Sequence, residues 1–229
     1  MSVTYTRQLA LELRHHPALG REDFLQAPCN AEALAWIDLW PNWPTLFLNV
    51  HGPAGCGKTH LSHVFAARNH ARFITANTLL SDDLPYLFQS FRALVVEDLH
   101  VPFNEENLLH LYNGAKENGV YLLFTANLPP ARWNIHLPDL RSRMLSIPCV
   151  GITPPDDTLI NALLIKLFAD RQLSIGLEAL AYLTPRIERS FSAIRRLVDE
   201  ADRASLESHR TITIPFLRDI LNQISSSKE

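Results

Sequence analysis

Apolar residues recur along the first two thirds of the chain in short blocks punctuated by polar, Gly and Pro residues, and the blocks alternate between two periods. Thr45–His51, Ala71–Ala76, Arg92–Val96 and Gly119–Thr125 are short runs rich in β-branched and aromatic residues, as expected of buried strands. Met144–Val150 reads as a fifth strand, short and Pro-containing, which belongs at a sheet edge. Between these runs the spacing is helical. Ala31, Ala33, Leu34, Ile37 and Leu39 form one stripe ahead of the break at Pro41-Asn42-Trp43-Pro44, and His60–Ala67 forms another. Leu108, Leu109, Leu111 and Tyr112 form a third, behind an Asn104 suited to cap it. Strands alternating with helices predict an α/β fold whose parallel sheet of five strands is covered on both faces. After Thr153-Pro154-Pro155 the alternation stops, and helices alone are predicted over 156–171, 176–183, 190–208 and 214–224. The expected organisation is an extended arm (1–20), an α/β domain (21–153) and a small all-helical domain (154–229).

Composition narrows the function classes. A net charge of −3 with 20% charged residues supplies no global positive field, so contact with DNA is expected only indirectly or through a partner. Cys29, Cys56 and Cys149 are too few and too scattered for a disulfide framework or a zinc site, which suits a reducing cytoplasm. No apolar run reaches the roughly 18 residues of a membrane span, and the start of the chain lacks the continuous apolar stretch of a signal peptide. The expected location is cytoplasmic, with no membrane partner.

The strongest chemical signal follows the first predicted strand. Gly52-Pro53-Ala54-Gly55-Cys56-Gly57-Lys58-Thr59 is a G-x-x-x-x-G-K-T loop between a strand and a helix, the order that wraps backbone amides around a polyphosphate. Lys58 would reach the β and γ oxygens, and the Thr59 hydroxyl would ligate Mg²⁺. Glu97 and Asp98 end the third strand at the same edge of the sheet, where the first acid can hold Mg²⁺ through water and the second can orient attacking water. Asn127 ends the fourth strand, and two readings stand: a γ-phosphate contact, or the start of the turn before Leu128-Pro129-Pro130. Arg141 and Arg143, by pattern alone, are solvated surface charges, as are Arg189, Arg195 and Arg196 on a helix of the C-terminal region. In an extended arm Leu9, Leu11 and Leu13 share one face, with Gln8 at its rim; the arm either enters a partner's groove or folds on its own core.

Taken together, these residues resemble one family. Gly57-Lys58-Thr59-His60-Leu61-Ser62-His63 is similar to the G-K-T-H-L-x-H of the DnaA-related AAA+ ATPases of bacterial replication initiation, a longer pattern than a bare phosphate loop. Leu109-His110-Leu111-Tyr112-Asn113, Thr125-Ala126-Asn127-Leu128-Pro129-Pro130, Leu140-Arg141-Ser142-Arg143 and Ile212–Leu221 follow in family order, so the resemblance covers almost the whole chain. DnaA itself continues into a helix-turn-helix DNA-binding domain for which no counterpart is expected here, and within the family the chain looks like the short Hda branch. The resemblance implies an AAA+ P-loop fold with a helical lid that binds ADP or ATP with Mg²⁺. The nucleotide contacts would come from Gly52 through His60, with Phe24 to Asn30 covering the adenine. It implies Walker B roles for Glu97 and Asp98, a sensor 1 role for Asn127, a sensor 2 role for Arg189 and an arginine finger at Arg143. Gln8-Leu9-Ala10-Leu11-Glu12-Leu13 resembles the peptide with which Hda docks on the DNA polymerase III sliding clamp. The implied function is negative regulation of replication initiation by promoting hydrolysis of DnaA-bound ATP, with a homodimer or higher oligomer as an option. Departures from the family pattern are Glu97 for the usual Asp and Asn127 where an Asp is common, so weak hydrolysis by the chain itself is expected. The alternative is an autonomous AAA+ ATPase that remodels or loads a replication protein.

Overall fold

The computed structural model describes residues 20–75, 84–99, 103–208 and 211–226, so the segment carrying Gln8, Leu9, Leu11 and Leu13 lies outside the described residues. The apolar runs become strands β1 (Phe47–His51), β2 (Arg72–Thr75), β3 (Ala93–Glu97), β4 (Tyr121–Ala126) and β5 (Cys149–Gly151). All pairings are parallel, in the order β2-β3-β4-β1-β5. β3 has Ala93, Leu94, Val95 and Val96 all fully buried, because alternate residues enter different cores. Leu94, Val96, Leu122 and Phe124 pack with α3 (Leu84–Ser90), α4 (Glu105–Asn118) and α5 (Pro138–Ser146). Leu48, Val50, Val95 and Leu123 pack on the other face with α1 (Ala31–Leu39) and α2 (Lys58–Asn69). Each such side chain contributes roughly 1.5–3 kcal/mol on burial. A one-residue slip would exchange the two faces, so the register is fixed.

This topology gathers the loops that matter. β1 and β3 both flank β4, so residues 52–59, 97–98 and 127 all emerge side by side at the carboxyl edge of the sheet. Asn104 caps α4, its Oδ1 accepting the Asn107 amide at 2.9 Å, and Glu105 and Glu106 place negative charge in the first turn where the helix dipole favours it.

The fifth strand corrects the sequence-based expectation. Met144, Leu145 and Ser146 are the last turn of α5, and β5 starts only at Cys149. Pro138 opens the helix, where its missing N–H costs nothing, and Leu140 and Met144 bury one face of it. The helix ends before Pro148, and β5 takes the edge position beside β1. Arg141 and Arg143 therefore stand on a helix.

A second compact unit comprises residues 157–188 and 193–226, with α6 (Asp157–Asp170), α7 (Leu177–Leu183), most of α8 (Phe191–Ser208) and α9 (Ile214–Ser226). Its core is Leu159, Ile160, Leu164, Phe168, Leu183, Ile194, Leu197, Val198 and Leu217. Arg171 ties α6 to α8 by donating to the Leu167 carbonyl at 2.9 Å and pairing with Asp199. Residues 189–192 cluster with the sheet unit instead. No described helix is long and apolar enough to cross a membrane.

Candidate nucleotide site

β1 hands the chain into the glycine loop, and backbone contacts dictate the residue types there. The Gly52 amide donates to the Ala126 carbonyl at 3.1 Å, and a Cβ on Gly52 would lie 2.3 Å from the Ile152 carbonyl oxygen. Gly55 and Gly57 have φ of 71° and 104°, a region that glycine enters without strain. Gly57 is the N-cap of α2 and brings no side-chain acceptor to the first-turn amides of Lys58 and Thr59. They form the amide cluster and positive dipole end that receive an anion.

Lys58 is 7% exposed. Its Nζ donates to the carbonyls of Gly52 at 2.7 Å and Pro53 at 3.1 Å and to Oδ1 of Asn127 at 3.1 Å. The ammonium is thereby pinned at the mouth of the loop with one donor for each of three acceptors. Thr59 is exposed at the start of α2, and Glu97 and Ser62 stand beside it. Burial, and after it the charge of Asp98, pushes the Glu97 carboxyl above its ordinary range, while the hydroxyls of Ser62 and Thr59 and the charge of Lys58 pull it back. Oε1 of Glu97 is buried with no hydrogen-bond partner, an acceptor suited to a cation or a water bound to one. Asp98 leaves the strand with φ of 61°, and its amide donates to Oγ1 of Thr125 at 3.3 Å, which turns its exposed carboxylate out of the strand alternation. A left-handed conformation costs a non-glycine residue about 1 kcal/mol or more. His51, at the end of β1, is held below the usual histidine range by burial and then by the Lys58 and Arg132 charges.

The segment after Gly20 folds over the start of α2. Asn30 is buried, accepting the Ala27 amide at 2.9 Å and donating to the Leu25 carbonyl at 2.9 Å, which locks the loop. Phe24 meets the His60 ring edge-on at 5.2 Å, and a His60 nitrogen lies 3.1 Å from the Gly20 carbonyl. His60 thus anchors this cover. A Cβ on Gly57 would be 3.8 Å from the Phe24 ring, so the cover lies against the glycine loop.

The residues present fit a nucleoside polyphosphate. Gly52 through Thr59, Lys58 and Asn127 would hold the phosphates, with Phe24–Asn30 beside them. Thr59 and Glu97 offer a magnesium ion two protein donors, in keeping with an ion held largely by phosphate oxygens and water.

Arg143 is not part of this assembly. Its guanidinium lies over the Tyr112 ring, 5.4 Å from the centroid, and Tyr112 stacks at 4.3 Å on Phe47, the first residue of β1. The glycine loop follows the last residue of that strand, roughly 15 Å away at about 3.3 Å per residue. Nε and Nη2 of Arg143 donate to the two oxygens of Asp139 at 3.0 Å each, and this pairing raises the guanidinium pKa further. Arg189 is exposed and precedes α8. In this stretch Ser192 meets the glycine loop: a Cβ on Gly55 would lie 2.3 Å from its Oγ, and the Phe191 amide donates to the Gly55 carbonyl at 2.8 Å. Ser192, Ser62, Thr125 and His51 were not singled out by sequence reasoning. His51 precedes the glycine loop, Ser62 lies within the Gly57–His63 stretch and Thr125 opens the stretch that runs to Pro130, whereas nothing local distinguishes Ser192.

Residues 156–221 match the model of the Hda lid-domain family. An uncharacterized protein of Haemophilus influenzae is 28% identical over 193 residues, spanning 77% of this chain and 81% of its own. Domain III of the Thermotoga maritima replication initiation protein DnaA superposes with a TM-score of 0.78 at 17% identity, over 91% of this chain and 97% of that one. AMPPCP-bound DnaA from Aquifex aeolicus superposes with a TM-score of 0.69 at 17% identity, over 85% of this chain and 68% of that one. The fold is that of an AAA+ α/β module, and residues 156–221 are similar to the Hda lid domain.

Proposed function

We propose that this DnaA/Hda-related AAA+ protein is a nucleotide-binding regulator of bacterial replication initiation, acting in the cytoplasm to promote hydrolysis of ATP bound to DnaA. The observation that carries the reading is the placement of Arg143. It sits at the end of the sheet opposite the chain's own glycine loop, fixed by Tyr112 and Asp139, while the nucleotide residues converge without it. A guanidinium so placed is useless to its own phosphate site and suited to one on an adjoining module. Arginine keeps its charge and offers a planar fork to phosphate oxygens. The likeness of the lid to the Hda family and of the fold to DnaA supports DnaA as that module.

In this reading Lys58 and the amides of 52–59 hold ADP or ATP as a structural ligand, and Phe24–Asn30 covers the base. When bound, the polyphosphate with its Mg²⁺ would supply negative charge to balance Lys58 and the loop amides. Thr59 and Glu97 would hold the ion, and Asn127 keeps Lys58 oriented. Arg143 stabilises charge developing on the γ-phosphate of DnaA-bound ATP, a contribution of roughly 10³ to 10⁵ in rate for arginine fingers supplied in trans. Gln8, Leu9, Leu11 and Leu13 dock the chain on the sliding clamp, which brings to DNA a chain whose net charge is −3. The test is DnaA-bound ATP followed over time, with and without clamp loaded on DNA, for the native chain and Arg143→Ala. Stimulation that needs the clamp and disappears in R143A is expected, with nucleotide binding by R143A unchanged. Undiminished stimulation by R143A would sink the assignment.

One observation favours a second reading. Asn127 bonded to Lys58, with Glu97 beside Thr59, is the arrangement an autonomous ATPase needs for its own turnover. Steady ATP turnover by the purified chain alone, lost in Lys58→Ala, would select it.

A further inference from the structure

α5, which carries Arg143, is gripped at both ends by one neighbouring helix. At the far end the grip is the Tyr112 ring of α4 beneath the guanidinium. At the near end it is Glu105, the first residue of α4, whose carboxylate reaches the chain just ahead of α5. Oε1 accepts the His136 amide at 2.9 Å and a His136 ring nitrogen at 3.1 Å. Oε2 accepts the Leu137 amide at 2.6 Å and the His136 amide at 3.1 Å. Leu137 is the N-cap of α5, and the next residue, Pro138, has no amide to offer. The spans agree: Glu105 to Tyr112 is about 10 Å along α4, and Leu137 to Arg143 is about 9 Å along α5. α5 therefore lies alongside α4 with its register set by two contacts, one charged and one aromatic.

The chemistry of the near contact demands a carboxylate. Both oxygens accept from N–H donors, whereas an amide side chain keeps one acceptor oxygen, loses the charge and sets an NH₂ group where Oε1 accepts the His136 amide at 2.9 Å, or where Oε2 accepts the Leu137 amide at 2.6 Å. The His136 amide bonds lie at the exposed surface, so water can satisfy that amide when it is released. Removing the charge should therefore cost α5 its placement more than it costs the protein its fold.

We propose that Glu105 is a positioning residue for Arg143, holding α5 in register on α4 so that the guanidinium meets the γ-phosphate bound by a second AAA+ module. This rests on the trans role proposed for Arg143. A misplacement near 1 Å can cost about a hundredfold in rate, so the effect lies in the maximal rate rather than in association.

The experiment compares Glu105→Gln, Arg143→Ala and the double variant with the native chain, measuring stimulated hydrolysis of DnaA-bound ATP and backbone amide exchange over 136–146. E105Q is expected to lower the maximal stimulated rate roughly tenfold to a hundredfold. Its half-saturating concentration and nucleotide affinity should match the native chain, with faster exchange confined to α5 and its entry. E105Q/R143A should be no slower than R143A alone. Native stimulation by E105Q alongside an inactive R143A would overturn the role of Glu105 and leave that of Arg143 standing. Unchanged exchange over 136–146 in E105Q would also overturn it. Full activity of R143A would instead remove the premise, and Glu105 with it.

Discussion

Lys58 and Asn127 lie 69 positions apart in the chain and 3.1 Å apart in space. Both were legible in the sequence because each ends or follows a strand of recognisable type, and a parallel sheet delivers such ends to one edge. What the pattern did not disclose is that Asn127 serves Lys58 directly, a contact set by β4 lying next to β1. Glu97 is a similar case: its position was readable and its electrostatics were not. Burial and then Asp98 raise its pKa. Between the ordinary carboxylate range and the raised value the folded protein holds a proton that the unfolded chain has released. Stability therefore falls as pH rises through that window. Glu97→Gln removes the desolvated charge and is expected to melt higher than the native chain at pH 7 in the absence of Mg²⁺. Its advantage should shrink to nothing below about pH 4, where an ordinary glutamate is protonated. Thermal melts from about pH 3 to 8 decide it; an advantage independent of pH would show that Glu97 carries no buried charge.

At the scale of elements, the long periodic segments were legible and the short junction before β5 was not. Leu145, Ile147, Cys149 and Val150 mimic a strand in sequence, yet the contacts that decide are made by Leu140 and Met144 against the sheet and α4. Local pattern cannot see that a helix of nine residues already owns this stretch, because its stabilisation is tertiary. The consequence is functional, since a helix gives Arg143 a fixed direction that a loop would not. Leu140 is fully buried, and Leu140→Ala is expected to destabilise the protein by about 2–5 kcal/mol, read from urea unfolding. A loss below about 0.5 kcal/mol would mean that α5 contributes no core, since surface substitutions fall in that range.

For the molecule as a whole, the change in the sequence from alternating periods to helices alone falls beside the boundary of the unit of residues 157–188 and 193–226, residues 189–192 grouping with the sheet unit, and the Hda lid-domain match at 156–221 lies over that helical stretch. The net charge of −3 gives no long-range pull toward duplex DNA, so the proposed action has to be local and the bound nucleotide has to contribute through the fold. A ligand that binds only the folded state at a hundred times its Kd adds about 2.7 kcal/mol. In a chain of this size each kcal/mol moves the melting point by roughly 2–4 °C. Saturating ADP with Mg²⁺ is therefore expected to raise the melting temperature by about 5–10 °C. Lys58→Ala should abolish the shift, because it removes the one ammonium in the loop and leaves the Gly52 and Pro53 carbonyls and Asn127 Oδ1 without their donor. The same melts with ATP separate the two readings of the site. A regulator shows a stable shift with either nucleotide, whereas an ATPase with ATP shows a shift that relaxes to the ADP value as turnover proceeds. No shift with either nucleotide would remove the phosphate site from the account, glycine loop included.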